Sequence, residues 1–287
     1  METLITDGQK KQVKRFAEDA VDRALTKGLL DKDSIQRLIG NGGEFQADII
    51  ASIKKHSFSN QFSDEEVESS YGYPSGYKPK GITEQTNILR QLFPGVGFAD
   101  EKLAQQPLPP NAEGWFAIPR WQSIAKTYNE AVQKVLDLIK KQYKGKFYAC
   151  HEGKLEVHYL RQHERTMKKF EVLSEQQKGY DILVVAAQFG FRHRGRSVRR
   201  AREVFMANEF GLGAFEIGCM IFTHPVRLLG TANLWIDCTG DEYSPDKNSL
   251  FSQTPFFDST ANEFMFGMRW IGVSSNHCGS ASGFLSQ

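Results

Sequence analysis

Cysteine is scarce in this sequence and its unbroken apolar runs are short, and both absences exclude whole classes of protein. No two of the four cysteines lie within three residues of each other, so the spacings typical of zinc ribbons and disulfide scaffolds are missing. These residues are Cys150, Cys219, Cys238 and Cys278. The longest apolar stretch, around residues 214–222, is too short to span a bilayer and contains Glu216.

The first residues of the sequence also lack the apolar segment of a secretory signal. Together these absences predict a cytoplasmic protein with reduced thiols and no membrane partner. A large excess of one charge is absent too, because the formal net charge is only +2 at pH 7. Any site for an anion must therefore come from local clustering of basic side chains.

The sequence does contain enough apolar residues for a sizeable core. Its 287 residues are 40% hydrophobic and include 21 phenylalanines, which suits one large domain or two modest ones. Apolar residues recur at helical spacing within residues 1–56, which predicts a small helical unit capped at its start by Thr6 or Asp7. Residues 57–81, rich in serine, glycine, tyrosine and acidic residues, predict either a linker or a long loop packed on a single domain.

Residues 82–287 mix both kinds of secondary structure and predict one larger mixed domain, so the expected fold class is α+β. The spacing of apolar residues predicts helices at 84–93, 124–139, 160–177 and 197–210. Runs of β-forming residues predict strands at 146–150, 155–159, 182–187 and 234–238, with further strands after Pro255. Prolines at 107, 109, 110 and 119 argue against regular structure in that stretch, although its tryptophans indicate that it is packed.

The clearest functional pattern lies in residues 180–210, where a buried strand leads into a basic loop and a helix. Residues 182–187 are apolar throughout, which is typical of a strand buried on both faces. Gly190 and Gly195 permit tight turns in the loop, and Ser197 is a good N-cap for the helix. We therefore expect free backbone N–H groups and the positive end of the helix dipole there. The basic residues of this segment are Arg192, His193, Arg194, Arg196, Arg199, Arg200 and Arg202.

The leading hypothesis for this segment is binding of nucleic acid, RNA included, or of another phosphate-rich ligand. Guanidinium groups match the geometry of phosphate, and helical spacing places four arginines between residues 196 and 202 toward one face. The competing interpretation is a solvated helix face whose arginines pair with acids such as Glu203 and Glu209.

A second functional hypothesis is a nucleotide-dependent enzyme. Residues 190–197 read G-x-x-x-x-G-R-S, which differs in one position from the P-loop pattern G-x-x-x-x-G-K-[ST]. Arg196 stands where the P-loop has the lysine that contacts the β- and γ-phosphates. Asp237, at the end of a predicted apolar strand, resembles the metal-binding aspartate of such enzymes.

The acidic run that begins at Asp237 predicts a cation site. Asp237, Asp241 and Glu242, with Asp246 nearby, offer the carboxylate oxygens that Mg²⁺ and Ca²⁺ prefer. The spacing matches no EF-hand loop. The alternative is a polar turn after a strand, capped by Asp241.

Three further sequence patterns allow both a functional and a purely structural interpretation. The thiol and imidazole of His277 and Cys278 are adjacent in sequence, as in some nucleophilic sites. The short strands and acidic loops after residue 234 are similar in style to C-type-lectin-like ligand-binding modules, without their disulfides. Residues of the types that bind zinc also gather within fourteen positions, although their spacing fits no standard site: Cys150, His151, His158 and His163.

The chain also resembles a family of uncharacterised bacterial proteins over roughly residues 82–287. The runs that carry the resemblance are LPPNAEGWFAIPRW, QQKGYDILVVAAQFGFRHRGRSVRRAREVF, NEFGLGAFEIGCM, THPVRL and LWIDCTGDEYSP. This resemblance implies a recurring module, and it brings no activity, ligand or catalytic residue with it.

Overall fold

The computed structural model describes residues 6–27, 30–57, 60–150, 154–228, 233–247, 250–259 and 263–286. The chain divides into two compact units, Met1–Phe58 and Ser59–Gln287. The described helices of the first unit are α1 (Asp7–Thr26), α2 (Lys32–Gly40) and α3 (Gly42–Ser57). Helix α1 begins at a capping box, in which the Thr6 side chain accepts a hydrogen bond from the N–H of Gln9 at 3.3 Å.

The second unit mixes helices and strands, which confirms the α+β fold class. Its described elements are α4 (Ile82–Leu92), β1 (Gly114–Pro119), α5 (Tyr128–Tyr143), β2 (Phe147–Ala149), β3 (Leu160–Gln162), α6 (Glu164–Gln176), β4 (Ile182–Gln188), α7 (Val198–Glu203), β5 (Glu209–Gly211), α8 (Ala214–Thr223), β6 (Trp235–Asp237), β7 (Asp241–Tyr243), β8 (Gln253–Ser259), β9 (Phe264–Trp270), β10 (Cys278–Ser280) and β11 (Ser282–Phe284). None of the helices in the described ranges has the length and apolar character needed to cross a bilayer.

Two sheets organise the second unit. The first has the strand order β1, β4, β11, β5, and each neighbouring pair is antiparallel. The second has the order β10, β6, β8, β7, β3, with β9 pairing with both β8 and β2. Helix α8 is buried at every residue and packs against α4, α5 and β1. Gly218 in α8 allows close approach to α5, since a side chain there would clash with Val135.

Strand β4 leads directly into the basic loop. All of its residues are buried, which confirms the predicted buried strand at 182–187. It lies between β1 and β11, so its backbone is paired on both edges. The basic loop therefore starts from a rigid part of the core.

Three predictions about regular structure are wrong. Residues 197–210 do not form one helix, because α7 ends at Glu203 and β5 pairs with β11, a tertiary contact that overrides local helix propensity. Residues 114–119 form a strand despite the nearby prolines. Pro119 is tolerated because it ends β1, an edge strand. The strand expected at 155–159 lies instead at 160–162.

The segment expected to be a linker or a packed loop, residues 57–81, belongs from Ser59 onward to the second unit. Val67 N–H donates to the carbonyl oxygen of Gly195 at 2.9 Å, so this segment runs beside the basic loop. Further along, Tyr73 and Tyr77 pack against the hydrophobic core. The described part of the segment is thus a packed loop that covers the basic element.

Candidate functional site

The basic loop between β4 and α7 is closely packed by backbone from two other segments. Gly190 and Gly195 have positive φ angles, +124° and +76°, which strain any residue with a side chain. An ideal Cβ at Gly190 would lie 2.6 Å from the carbonyl oxygen of Gly279, and one at Gly195 would clash with the carbonyl oxygen of Val67. Both glycines are therefore required by packing as well as by conformation.

The backbone N–H groups expected to be free in this element are hydrogen-bonded within the protein. Gly195 N–H donates to the carbonyl oxygen of Cys278 at 2.9 Å, and Ser197 N–H donates to that of Glu65 at 3.0 Å. Arg199 N–H, in the first turn of α7, donates to a carbonyl oxygen 3.0 Å away. Ser197 caps the helix, as predicted. Because these donors are occupied, the loop lacks the open cradle of a P-loop, and the N–H groups of Arg199 and Arg200 at the start of α7 are already bonded.

Two glutamates from the covering segment neutralise much of the arginine cluster. Glu65 accepts two hydrogen bonds from Nε of Arg199, both at 2.8 Å. Glu66 forms ion pairs with Arg196 at 3.2 Å and with Arg200 at 2.5 Å. Sequence reasoning missed both acids, because Glu66 and Arg200 are 134 positions apart.

Two glutamates after the loop complete the pairing. Glu203 forms an ion pair with Arg200 at 2.8 Å, and Glu209 forms one with Arg192 at 3.1 Å. The acid pairing of the competing interpretation is confirmed for these two pairs, but its solvated helix face is wrong here, because Glu209 is fully buried and Arg200 is only 9% exposed. Burial alone would raise the pKa of Glu209, but its hydrogen bonds with His193 and Ser282 and the charge of Arg192 lower it to about 2.

His193 is a buried structural residue of the loop. Its Nε2 lies 2.7 Å from Glu209 Oε1, and its Nδ1 lies 3.1 Å from Nη1 of Arg196. These partners assign the proton to Nε2 and leave Nδ1 as the acceptor. Burial lowers the pKa of His193, so the neutral ring is favoured. The residue holds the loop together and is closed to a ligand.

The four arginines expected on one helical face separate in the structure. Arg196 precedes α7, Arg200 is only 9% exposed, and Arg202 donates to backbone carbonyl oxygens at 3.0 and 2.7 Å. Arg199 and Arg202 line one pocket, whereas the loop arginines line a separate depression. The basic element therefore has two distinct faces.

We call the depression that is lined by the loop arginines the loop depression. Its volume is about 490 Å³. The guanidinium of Arg194 lies 4.4 Å from the ring centre of Phe191, which is 45% exposed. Glu113 lies deeper and accepts hydrogen bonds from the hydroxyl of Tyr73 and from the N–H of Phe189 at 3.2 Å. Burial raises the pKa of Glu113 to about 6. The lining residues are Glu66, Asn111, Glu113, Phe191, Arg192, Arg194 and Arg196.

The acidic residues expected to share a cation do not meet. Asp241 and Glu242 are neighbours in β7, so their side chains lie on opposite faces of the sheet. Asp237 is buried beside Arg269 at 3.3 Å, and Glu242 pairs with an arginine of β3 at 2.8 Å. Within the described ranges, no group of three or more His, Cys, Asp or Glu side chains is arranged to hold a metal ion.

A buried carboxyl pair, which sequence reasoning missed, lies at the start of α8. The hydroxyl of Tyr128 is 2.8 Å from Oδ1 of Asp241 and 3.3 Å from Oε2 of Glu216. Backbone N–H groups of Gly213 and Ala214 donate to these carboxyl groups at 3.0 and 2.7 Å. Burial and the charge of Asp241 raise the pKa of Glu216 to about 8, and burial raises that of Asp241 to about 7. Two buried acids this close favour retention of a proton.

The cysteine and histidine patterns do not form reactive sites in the described ranges. Cys150 is exposed, His163 caps α6, and His151 lies outside the described residues. Cys278 is buried, and burial raises the pKa of its thiol, which disfavours the nucleophilic thiolate. The ring of His277 packs against aromatic side chains.

The C-terminal strands form a sheet after residue 234, as the lectin-like interpretation requires. Two of the acids expected in exposed loops of this sheet, Asp237 and Asp241, are instead fully buried. The ligand-binding loops of that interpretation therefore lack two of their expected oxygen donors.

Comparisons with protein-family models, with curated proteins and with solved structures give no match for this chain. The resemblance to a bacterial family stays a prediction. The geometry of the basic element is thus the basis on which a function is proposed.

Proposed function

We propose that the loop depression binds single-stranded nucleic acid, or another chain of phosphate groups, with Arg194 as the principal contact. One observation carries the proposal. Among the arginines of residues 192–202, Arg194 alone forms no ion pair with a carboxylate in the described part of the chain, and its guanidinium donates only to the carbonyl oxygen of Tyr71 at 3.3 Å. Its charge is therefore available to an external anion.

The surroundings of Arg194 suit an unpaired nucleotide strand. The exposed ring of Phe191 beneath the guanidinium provides a surface on which a base can stack. A second depression of about 580 Å³, lined by residues 67–70 and Asn276, shares Arg194 with the first. A strand that passes over Arg194 would occupy both depressions. Their open form favours an extended ligand over a compact one.

The neighbouring arginines should contribute less to ligand binding than Arg194 does. Arg192 and Arg196 expose 23% and 28% of their side chains, and each is held by a glutamate. Such paired arginines fix the shape of the depression and contribute weakly to its net charge. We therefore expect most of the salt-dependent affinity to come from Arg194 and a smaller share from its two neighbours.

The proposal is tested by fluorescence anisotropy with a labelled single-stranded oligonucleotide, the matching duplex and inorganic polyphosphate, over a series of salt concentrations. Arg194→Gln should weaken binding about tenfold and reduce the salt slope by about one. Arg161→Gln is the matched control, because Arg161 also stacks on a phenylalanine, Phe251, at 3.8 Å but pairs with a glutamate at 2.8 Å.

Three results would overturn the proposal. They are no binding of any of the three probes at low salt, unchanged binding by Arg194→Gln, or an equal loss in Arg161→Gln. Tighter binding of the duplex than of the single strand would contradict the assignment of the ligand to single strands.

A further inference from the structure

We infer that Glu216, Tyr128 and Asp241 form a pH-sensitive latch, in which a proton on Glu216 fastens the start of α8 to α5 and β7. Loss of that proton opens the start of the helix. The three side chains come from three different elements, and all of them are buried. None of them lines the loop depression, so this inference is independent of the proposed function. We call the three residues the Glu216 latch.

The hydroxyl of Tyr128 lies between the two carboxyl groups but has only one hydrogen to donate. Its oxygen is 2.8 Å from Oδ1 of Asp241 and 3.3 Å from Oε2 of Glu216. If both acids were ionised, one carboxylate oxygen would face the lone pairs of the hydroxyl with no hydrogen between them. A proton on one acid removes this conflict, because that acid donates to the hydroxyl and the hydroxyl donates to the other acid.

The lengths of the hydrogen bonds indicate which acid carries the proton. Hydrogen bonds to an ionised carboxylate are shorter than those to a neutral group. Asp241 accepts from the hydroxyl of Tyr128 at 2.8 Å and from the N–H of Ala214 at 2.7 Å. The contacts of Glu216 are longer, at 3.0 Å to the N–H of Gly213 and 3.3 Å to the hydroxyl. Asp241 is therefore the anion of the latch, and Glu216 holds the proton.

The surroundings of the latch provide no ion pair to either carboxyl group within the described ranges. Arg202 of α7 donates to the backbone carbonyl oxygen of Asp241 at 2.7 Å, and the neutral amide of Gln162 in β3 donates to Glu216 at 3.3 Å. Burial and the charge of Asp241 raise the pKa of Glu216, which agrees with a retained proton. The other titratable groups that influence the pair are Arg202, Cys219 of α8, Cys238 before β7 and Glu242 of β7.

The latch holds the N-terminal end of α8. The N–H groups of Gly213 and Ala214 precede the first intrahelical hydrogen bonds, and the two carboxyl groups of the latch accept from them. Ionisation of Glu216 places a second buried negative charge beside Asp241, which neither an ion pair nor water offsets. Separation of this end of α8 from Tyr128 and Asp241 relieves the repulsion by admitting water. The rest of α8 stays packed against α4, α5 and β1, so the opening is local.

The test is hydrogen–deuterium exchange of the backbone amides of Gly213 and Ala214, measured by nuclear magnetic resonance at pH 7 and pH 9. In wild type their protection factors should fall about tenfold over this interval, because opening is coupled to the loss of one proton with a pKa of about 8. Glu216→Gln should keep its protection, since glutamine cannot ionise and still has a donor for Tyr128. Glu130→Gln is the matched control in α5 and should show the wild-type fall, because Glu130 is exposed.

Two measurements on the wild-type protein keep the inference testable if Glu216→Gln does not fold. The backbone amide of Val185, in the buried strand β4, should keep its protection from pH 7 to pH 9, because the opening is confined to the start of α8. The infrared band of a protonated carboxylic acid should be present at pH 7.5 and lose most of its intensity by pH 9. At pH 7.5 Asp237 and Asp258, with pKa values of about 6, are ionised and do not contribute to this band.

Four results would overturn the inference. Constant protection of Gly213 and Ala214 in wild type would show that the start of α8 does not open with pH. An equal fall in Glu216→Gln would exclude Glu216 as the group that releases the proton. An equal fall at Val185 would show that the whole fold opens rather than the latch. Absence of the acid band at pH 7.5 would show that no proton is held there.

Discussion

Gly190 and Gly279 lie face to face, and each occupies the space that a side chain on the other would need. An ideal Cβ at Gly190 would lie 2.6 Å from the carbonyl oxygen of Gly279, while one at Gly279 would clash with the carbonyl oxygen of Gly190. This contact brings the basic loop against β10. The glycine that suggested a phosphate loop is thus explained by backbone packing.

Gly190→Ala should destabilise the protein by about 3 kcal/mol, because it adds a backbone clash to an unfavourable φ of +124°. Gly145→Ala is the matched control. Gly145 also has a positive φ, +81°, but no atom lies within 4 Å of its ideal Cβ, so the cost should be about 1 kcal/mol. Urea unfolding measures both free energies. Equal losses would contradict the packing role of Gly190.

Glu209→Gln should destabilise the protein by about 3 kcal/mol, since it removes the buried counterion of Arg192 and weakens the hydrogen bond that the neutral His193 ring donates. Glu164→Gln, in an exposed pair with Lys168, should leave the free energy of unfolding unchanged within the error of the measurement. Urea unfolding at pH 7 compares the two variants. A loss below about 1 kcal/mol in Glu209→Gln would show that the ion pair is not needed for the fold.

The same carboxylate predicts acid sensitivity. The folded-state pKa of Glu209, about 2, lies below its ordinary value of 4.5. Its stabilisation is therefore complete above pH 4.5 and is lost as the pH falls toward 2. Wild type should lose stability over this interval, and Glu209→Gln should lose less. Identical acid profiles would contradict the assignment.

The buried carboxyl pair predicts the opposite dependence at higher pH. The folded-state pKa values of Glu216 and Asp241, about 8 and about 7, lie above their ordinary values of 4.5 and 3.8. Their protonated forms stabilise the fold at low pH, and this contribution is lost as the pH rises through 7 and 8. Glu216→Gln, which cannot ionise, should be more stable than wild type at pH 9 by about 1 kcal/mol and closer to it at pH 6.

Thermal unfolding of wild type and Glu216→Gln from pH 5 to pH 9 gives this comparison. Parallel profiles for the two proteins would show that the pair does not retain a proton in the folded state. Glu156→Gln is a suitable control, because Glu156 is largely exposed in its pair with Lys247 and should leave the profile unchanged.

Thiol reactivity should distinguish Cys150 from the other cysteines. Cys150 is exposed, whereas Cys219, Cys238 and Cys278 are buried. A colorimetric thiol reagent should therefore modify one group quickly in the native protein and all four after unfolding. Cys150→Ser should abolish the fast phase. More than one fast thiol in the native protein would contradict the packing around the buried cysteines.

Several parts of the fold could be predicted because local sequence determines them. The unbroken apolar run of β4 and the helical periodicity of the α5 stripe are both visible in the sequence, and the Ser197 cap depends on its immediate neighbours. The short α7 could not be predicted in this way. Its end depends on β5 pairing with β11, a contact between distant segments.

The partners of the basic residues were the least predictable part of the site. The sequence shows which side chains carry charge, but Glu65 and Arg199 are 134 positions apart and meet only in the folded protein. Arg194 is one of several arginines in this loop, so nothing in the local sequence distinguishes it as the one without an ion pair to a carboxylate in the described part of the chain. Tertiary pairing alone separates a cation that is held internally from one that is available to a ligand.

The position of β11 in the sequence determines how late in synthesis the first sheet can close. Residues 282–284 lie between β4 and β5 and hydrogen-bond to both, so the first sheet stays split while they are missing. A nascent chain that has emerged from the ribosome only as far as residue 270 cannot close that sheet, and Gly190 still lacks its partner in β10. The basic loop therefore acquires its final packing only after β10 and β11 have been synthesised, and until then the edges of β4 and β5 that face β11 stay unpaired.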